Sequence, residues 1–151
     1  MNKNYCDIVI FGSGLSAKAM SLVARNAGLS FNIITDKNLD NKVNDDTRSL
    51  ALSVASKKML QVLGVNIKTE AVKKMIVIEG GLANEKIKSR LTFDKELVDE
   101  DIAFIAEHSV IEKSLDKALK LKDDEFVKDE VIKIEKGNDR TKITFKNKKS
   151  L

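Results

Sequence analysis

The stretch Tyr5-Cys6-Asp7-Ile8-Val9-Ile10-Phe11-Gly12-Ser13-Gly14-Leu15-Ser16-Ala17 decides the fold. Tyr5 to Phe11 is an almost unbroken apolar run rich in β-branched residues, the pattern of a strand buried on both faces of a parallel sheet. Gly12-Ser13-Gly14 breaks it. Beyond the glycines, Leu15, Ala19, Leu22 and Val23 recur at i, i+4, i+7 and i+8. That spacing predicts an amphipathic helix with these four residues on its inner face. Gly28 is placed to end the helix, since glycine takes the left-handed conformation a helix C-terminus needs. Phe31 to Thr35 is a second short apolar strand, closed by Asp36. Strand, helix and strand follow one another in about 30 residues, the length of a right-handed βαβ unit. The fold class expected is therefore α/β, built on a Rossmann-like βαβ unit.

Gly12-Ser13-Gly14-Leu15-Ser16-Ala17 fits the G-x-G-x-x-G/A pattern in the context the pattern requires, directly after a strand and opening a helix. Gly12 permits the tight turn. Gly14 has no side chain, so a pyrophosphate can approach the backbone. Ala17 is small enough for helix and strand to pack closely. The helix start offers unpaired N–H groups and the positive end of a dipole to phosphates. An ordinary glycine-rich turn is the alternative. Asp36, 24 positions after Gly12, ends the second strand. A carboxylate there accepts hydrogen bonds from a ribose 2′-hydroxyl, as the motif requires. The alternative is a loop-starting Asp that caps its own turn.

The remainder of the chain alternates short apolar runs with turn signals. Asp36 to Thr47 is polar and rich in Asn and Asp, so it reads as a loop, and Leu50 to Leu52 as a short extended piece. Ser53 is the expected N-cap of a helix whose stripe is Ala55, Met59, Leu60 and Leu63, ending at Gly64. Lys74 to Glu79 and Lys88 to Phe93 read as two strands joined by Gly80-Gly81, and Ala103 to Glu107 as another strand. Ser109 with Glu112 matches a capping box, opening a helix with Ile111, Leu115, Ala118 and Leu119 on its apolar face. Val131 to Glu135 and Lys142 to Phe145 flank Gly137-Asn138-Asp139 as a hairpin.

Composition narrows the function. The 151 residues are 42% hydrophobic and 33% charged, enough for a packed core under a charged surface and unlike a disordered tail. No apolar run is long enough to span a bilayer, and no secretory leader pattern is present, so a cytosolic protein is expected. One cysteine, Cys6, and one histidine, His108, argue against an internal disulfide, a multi-cysteine zinc site or a His-based metal cluster. The net charge of +4 comes from lysine. The arginines are only Arg25, Arg48, Arg90 and Arg140. Lysines mix with acids, as in Lys128-Asp129-Glu130. The densest basic stretch, Lys142, Lys146, Lys148 and Lys149, has Phe145 as its only neighbouring aromatic. This argues against nucleic-acid binding, which calls for clustered basic residues with arginines or aromatics beside them.

Asp46-Thr47-Arg48-Ser49-Leu50-Ala51-Leu52-Ser53 is followed by Leu60-Gln61-Val62-Leu63-Gly64-Val65. With the glycine motif before them, these blocks resemble the N-terminal part of the FAD-dependent aromatic hydroxylases of ubiquinone biosynthesis. That family shows a GxGxxG/A start, an Asp-x-Arg-x-x-Ala-Leu-Ser segment and a helix ending Leu-x-x-Leu-Gly-Val, in this order and at about this spacing. A further block, a strand and a polar residue before a helix, matches Ala103 to Leu119. The resemblance covers essentially the whole chain, and the Asp-x-Arg-x-x-Ala-Leu-Ser block is its most specific part.

The resemblance implies that Gly12, Ser13, Gly14, Leu15 and Ala17 meet the FAD pyrophosphate and that Asp36 holds the adenosine ribose. Family members often carry Glu at that last position. It implies that Arg48 lies along the flavin near the pyrophosphate and ribityl chain, where its planar, always-charged donors suit oxyanions. A surface arginine paired with Asp45 or Asp46, worth about 0–1 kcal/mol, is the alternative. His108 and Ser109 stand where the family often has Asn, Arg or Gln, and a lone histidine beside a helix start reads as a capping or surface group rather than a catalytic one. No catalytic residue is expected. In the whole enzyme, NAD(P)H reduces the flavin and O₂ is then used to hydroxylate a polyprenyl phenol, which places the work near the inner face of a membrane.

The resemblance also implies that the chain is the first portion of a longer domain. Residues 1–151 would be the N-terminal part of a FAD-binding domain, with 70–100 the first hairpin of a substrate-covering sheet. The family's later Asp-Gly strand end, Gly-Asp motif and Pro-containing flavin loop have no counterpart here. A truncated frame, a gene remnant and one half of a split protein all fit this reading, with a complementing C-terminal half or other ubiquinone-biosynthesis proteins as partners. A stand-alone module binding NAD or an adenine nucleotide, without flavin chemistry, is the competing expectation.

Overall fold

The computed structural model describes residues 5–35, 47–79, 89–120 and 125–147. The chain divides into two compact units, residues 1–46 with 112–151, and residues 47–111.

In the first unit, β1 (Ile8–Phe11), α1 (Leu15–Asn26) and β2 (Phe31–Thr35) follow in order. β1 pairs with β2 in parallel, Ile8 opposite Phe31 and Phe11 opposite Ile34. β2 also pairs in parallel with a three-residue strand, Phe126–Lys128, so β2 is the middle strand of three. Every residue of β2 is buried, as expected of a strand covered on both faces. On one face, Ile34 and Val127 pack with Ile143 and Phe145, and Val9 and Val131 join them. Ile143 and Phe145 belong to an antiparallel hairpin of Val131–Lys136 and Thr141–Phe145, which turns through Gly137, whose N–H donates to the Arg140 carbonyl at 2.8 Å. Burying each large apolar side chain in such a layer stabilises by about 1.5–3 kcal/mol. The buried carboxylate of Asp129 ties the hairpin's ends, accepting from the Glu130 N–H at 2.9 Å and the Asn147 side-chain amide at 3.0 Å.

α1 packs against β1 and β2. Its C-terminus ends on Ala27, with Gly28 at φ +73°. The Leu29 N–H reaches the Ala24 carbonyl at 2.9 Å and the Gly28 N–H the Arg25 carbonyl at 3.0 Å. This double closure is available cheaply only to glycine. The inner face differs from the expected one. Ala19 and Leu22 are buried as expected and Leu15 is half-buried, but Val23 is exposed, and Ala17, Lys18, Ser21 and Ala24 are buried besides. The inward arc is centred one step away from the apolar stripe because Lys18 is neutralised and Ser21 satisfies its hydroxyl on the Ala17 carbonyl at 2.8 Å.

In the second unit, Ser49–Leu52, Ala103–Glu107 and Glu70–Val72 form a three-stranded antiparallel sheet, with Ala103–Glu107 in the middle. Helix α2 (Val54–Val62) opens on Ser53, whose hydroxyl accepts the Ser56 N–H at 3.1 Å. It closes at Gly64 with the same double hydrogen bond as α1. Of its expected stripe Leu60 is buried and Leu63 half-buried, while Met59 and Ala55 are exposed. Lys74–Glu79 and Ser89–Asp94 pair as a separate antiparallel hairpin; the expected Gly80-Gly81 turn lies outside the described residues. A short helix, Lys95–Val98, follows, opened by the Asp94 carboxylate.

A last helix, His108–Leu119, buries Ile111, Leu115 and Leu119. It starts one residue before Ser109, so Ser109 lies in the first turn rather than at the cap, and Glu112 holds the Lys18 ammonium at 2.8 Å.

Candidate functional site

β1 delivers the chain directly into the glycine loop, and the Gly12 N–H donates to the Ile34 carbonyl at 2.8 Å. Gly12 sits at φ +97°, a conformation a side chain would strain. Two residues on, Gly14 is the N-cap of α1 in extended conformation, and its carbonyl accepts the Lys18 N–H at 3.0 Å, the first hydrogen bond of the helix. No side chain caps this end, and the first turn holds no acid. The N–H groups at the start of a helix have no partner within it. Their dipole end is uncompensated here, which favours an anion.

The space over the loop is open. A Cβ at Gly12 or Gly14 would meet no heavy atom within 4 Å. Ser13 and Leu15 flank the opening half-buried, and Ala17 is buried on the inner side of the helix. The residues present therefore fit a diphosphate: a turn with positive φ, an N-cap without a side chain and a bare positive helix end. Asp36, expected to serve the ribose, lies outside the described residues.

Arg48 belongs to the second unit. It is exposed and precedes Ser49–Leu52. Its carbonyl accepts the His108 N–H at 2.8 Å, so the fold brings these two sequence-distant residues together. The His108 Nδ1 atom is buried.

Sequence reasoning missed Lys18. Its ammonium is 2.8 Å from Glu112 and 2.6 Å from Asp116, with the side chain only 6% exposed. The signal available was the pair Glu112 and Asp116, one helical turn apart beside the apolar positions Ile111 and Leu115.

Cys6 lies just before β1 and lines a cleft of about 950 Å³ with Val9, Phe11, Ile134, Arg140 and Ile143. Its thiol donates to the Ile8 carbonyl at 3.1 Å. Burial pushes the thiol up from its ordinary value, against the lowering effect of nearby backbone groups. The reactive form is the thiolate. Cys6 is expected to react with a disulfide reagent at neutral pH more slowly than a free cysteine peptide; a faster reaction contradicts this environment.

No family model matches the sequence, and no curated protein matches it significantly. Solved structures do match the fold. A 2,6-dihydroxypyridine-3-hydroxylase from Arthrobacter nicotinovorans aligns over 95% of this chain and 34% of its own, with 12% identity and a TM-score of 0.63. HpxO from Klebsiella pneumoniae, solved with FAD and uric acid, covers 95% of this chain and 36% of its own at 11% identity and a TM-score of 0.61. The tetracycline destructase Tet(51) covers 95% and 35% at 13% identity and a TM-score of 0.59. The chain thus spans about a third of the length of these structures. At such identities the likeness is one of fold, a mixed α/β arrangement with small sheets. Among the described residues, no helix is long and apolar enough to cross a membrane.

Proposed function

We propose that the glycine loop binds the ADP half of FAD, and that these residues are the cofactor-binding portion of a flavin-dependent monooxygenase. The observation that carries this reading is the N-terminus of α1. It has a side-chain-free cap, no acid in its first turn and open space above it, at the end of a parallel strand. The fold shared with HpxO, which was solved with FAD, supports the choice of cofactor.

In this reading the N–H groups around Gly12, Ser13, Gly14 and Leu15 hold the pyrophosphate, and Ala17 keeps helix and strand close. Asp36 takes the adenosine ribose, and Arg48 offers its guanidinium to the phosphate and ribityl region. Bound FAD, reduced by NAD(P)H, supplies the oxygen chemistry, while the chain binds and orients the cofactor. The Asp46 to Ser53 block supports the flavin reading over a plain NAD-binding unit, and the resemblance to the ubiquinone-biosynthesis hydroxylases suggests a substrate of the polyprenyl-phenol kind, hydroxylated in the cytosol at a membrane face.

Calorimetric titration with ADP, NAD and FAD tests the reading. All three are expected to bind through their shared ADP half. Adding a complementing C-terminal half in trans is expected to tighten FAD alone, by about tenfold or more for each charge-assisted hydrogen bond it contributes. Failure of all three to bind overturns the glycine-loop assignment. Equal binding of all three, unchanged by the added polypeptide, favours a stand-alone adenine-nucleotide module instead.

A further inference from the structure

The strand Ser89–Asp94, β6 in chain order, pairs only with Lys74–Glu79, β5, among the described residues. Among the described residues, no strand pairs with its second edge. A strand with an unpaired edge is a template for another strand, and a two-stranded hairpin alone is marginal in water. Leu91 is 56% exposed and Phe93 40%. They share one face of the hairpin with their cross-strand partners Val77 and Met75, both exposed. Arg90, Thr92 and Asp94 point to the other face, because successive side chains alternate.

The sequence of β6 is complementary to itself. Turned end for end about Thr92, Ser89-Arg90-Leu91-Thr92-Phe93-Asp94 places Arg90 opposite Asp94, Leu91 opposite Phe93 and Thr92 opposite Thr92. Each partner lies an even number of residues from the other, so both point to the same face. A twofold axis perpendicular to an antiparallel pair demands this, and the contact is isologous. β5 does not have this property. Centred on Val77 it sets Met75 against Glu79, and centred on Ile76 it sets Lys74 against Ile78.

We propose that β6 is a homodimerisation edge, across which two copies of this chain pair antiparallel about Thr92 to form a four-stranded sheet, β5-β6-β6-β5. On one face, two Leu91–Phe93 contacts join the apolar surfaces of the hairpins. On the other, a Thr92–Thr92 contact lies between two Arg90–Asp94 ion pairs. Opposite charges, threonine pairs and large apolar pairs directly across a sheet are all favourable. Asp94 is ready for this role. Its carboxylate holds the Lys74 ammonium at 2.8 Å and the Glu96 N–H at 3.2 Å, which fixes it at the end of the strand. Lys74 first, then that backbone bond, holds the carboxyl below the usual carboxylate range, so it is ionised at neutral pH.

The charges allow a test that separates failed association from failed folding. Arg90→Glu sets acid against acid at both ends of the interface. Lys74→Asp/Asp94→Lys keeps the hairpin's own ion pair in reverse and sets cation against cation. Each variant alone is expected to dimerise at least about tenfold more weakly than the parent by sedimentation equilibrium. An equimolar mixture is expected to regain a dimer within a few-fold of parental affinity, since each glutamate then faces a lysine and each Asp94 an Arg90. Recovery in the mixture also shows that both variants fold. The proposal is overturned by a parent that stays monomeric at high concentration, by a dimer indifferent to Arg90→Glu, by a mixture that remains monomeric, or by open aggregates in place of a dimer.

Discussion

Gly14→Asp is expected to raise the melting temperature of the protein while abolishing its binding of ADP, NAD and FAD. The two effects have one cause, the bare N-terminus of α1. Gly14 sits at φ −72° and ψ −179°, a conformation open to any L-residue, and a Cβ there meets nothing within 4 Å. An aspartate therefore fits without strain. Its carboxylate can accept from the N–H groups of the first turn and meets the positive end of the helix. The dipole interaction contributes about 0.3–1 kcal/mol, and replacing glycine at a compatible site adds about 0.4–1 kcal/mol through the unfolded state. For a chain of this size that raises the midpoint by roughly 2–4 °C per kcal/mol. The same carboxylate consumes the donors a pyrophosphate needs and repels its charge. Losing two charge-assisted hydrogen bonds of about 1.5–3 kcal/mol each weakens binding more than about a hundredfold. Gly14→Val is expected to lose binding in the same way by filling the approach. An aspartate variant that binds ADP as well as the parent would sink the assignment of the loop. Gly12 is a poorer probe, because its φ of +97° makes any substitution costly to folding as well.

The βαβ unit was legible because each of its parts carries its own local signal. The apolar run of β1, the glycines and the helical spacing agree on the order strand, loop, helix, and agreement across levels marks a sequence that specifies its fold; burial was less legible, since Ile10 alone is buried in β1 and Val23 of the expected helix face is exposed. Gly28 and Gly64 were legible as helix ends for a similar reason, since both take the positive φ their sequence context implied. The two three-residue strands were not. Glu70-Ala71-Val72 and Phe126-Val127-Lys128 have no periodicity of their own, and they are strands because Ala103–Glu107 and Phe31–Thr35 pair with them. Tertiary context creates such elements. The candidate site was legible to the extent that it is local. Gly12, Gly14 and Ala17 read directly from spacing, whereas the backbone contact between Arg48 and His108 arises from the pairing of Ser49 opposite Glu107, which no short window contains.

Lys18 shows the opposite failure, a residue whose type pointed outward and whose environment draws it in. Its replacement by alanine is expected to cost about 2 kcal/mol of stability, read as a lowered denaturation midpoint with unchanged slope. Removing one member of a fully buried ion pair costs about 3–5 kcal/mol, because the other charge is left uncompensated. Here the figure is smaller, since Glu112 is 25% and Asp116 46% exposed and both recover water when the ammonium leaves. The two acids lie four residues apart on one helix face, so losing the lysine also leaves them to repel each other. Lys18→Met is expected to cost less than Lys18→Ala, because most of the stem's packing is kept. The decisive comparison is Lys18→Met in a Glu112→Gln/Asp116→Asn background. With both acids neutral, an apolar side chain at this buried position should be neutral or stabilising relative to lysine, since a buried ammonium without carboxylates pays its desolvation uncompensated. A cost that is the same in both backgrounds would mean that the three side chains are not coupled, and that Lys18 is buried for the packing of its stem alone.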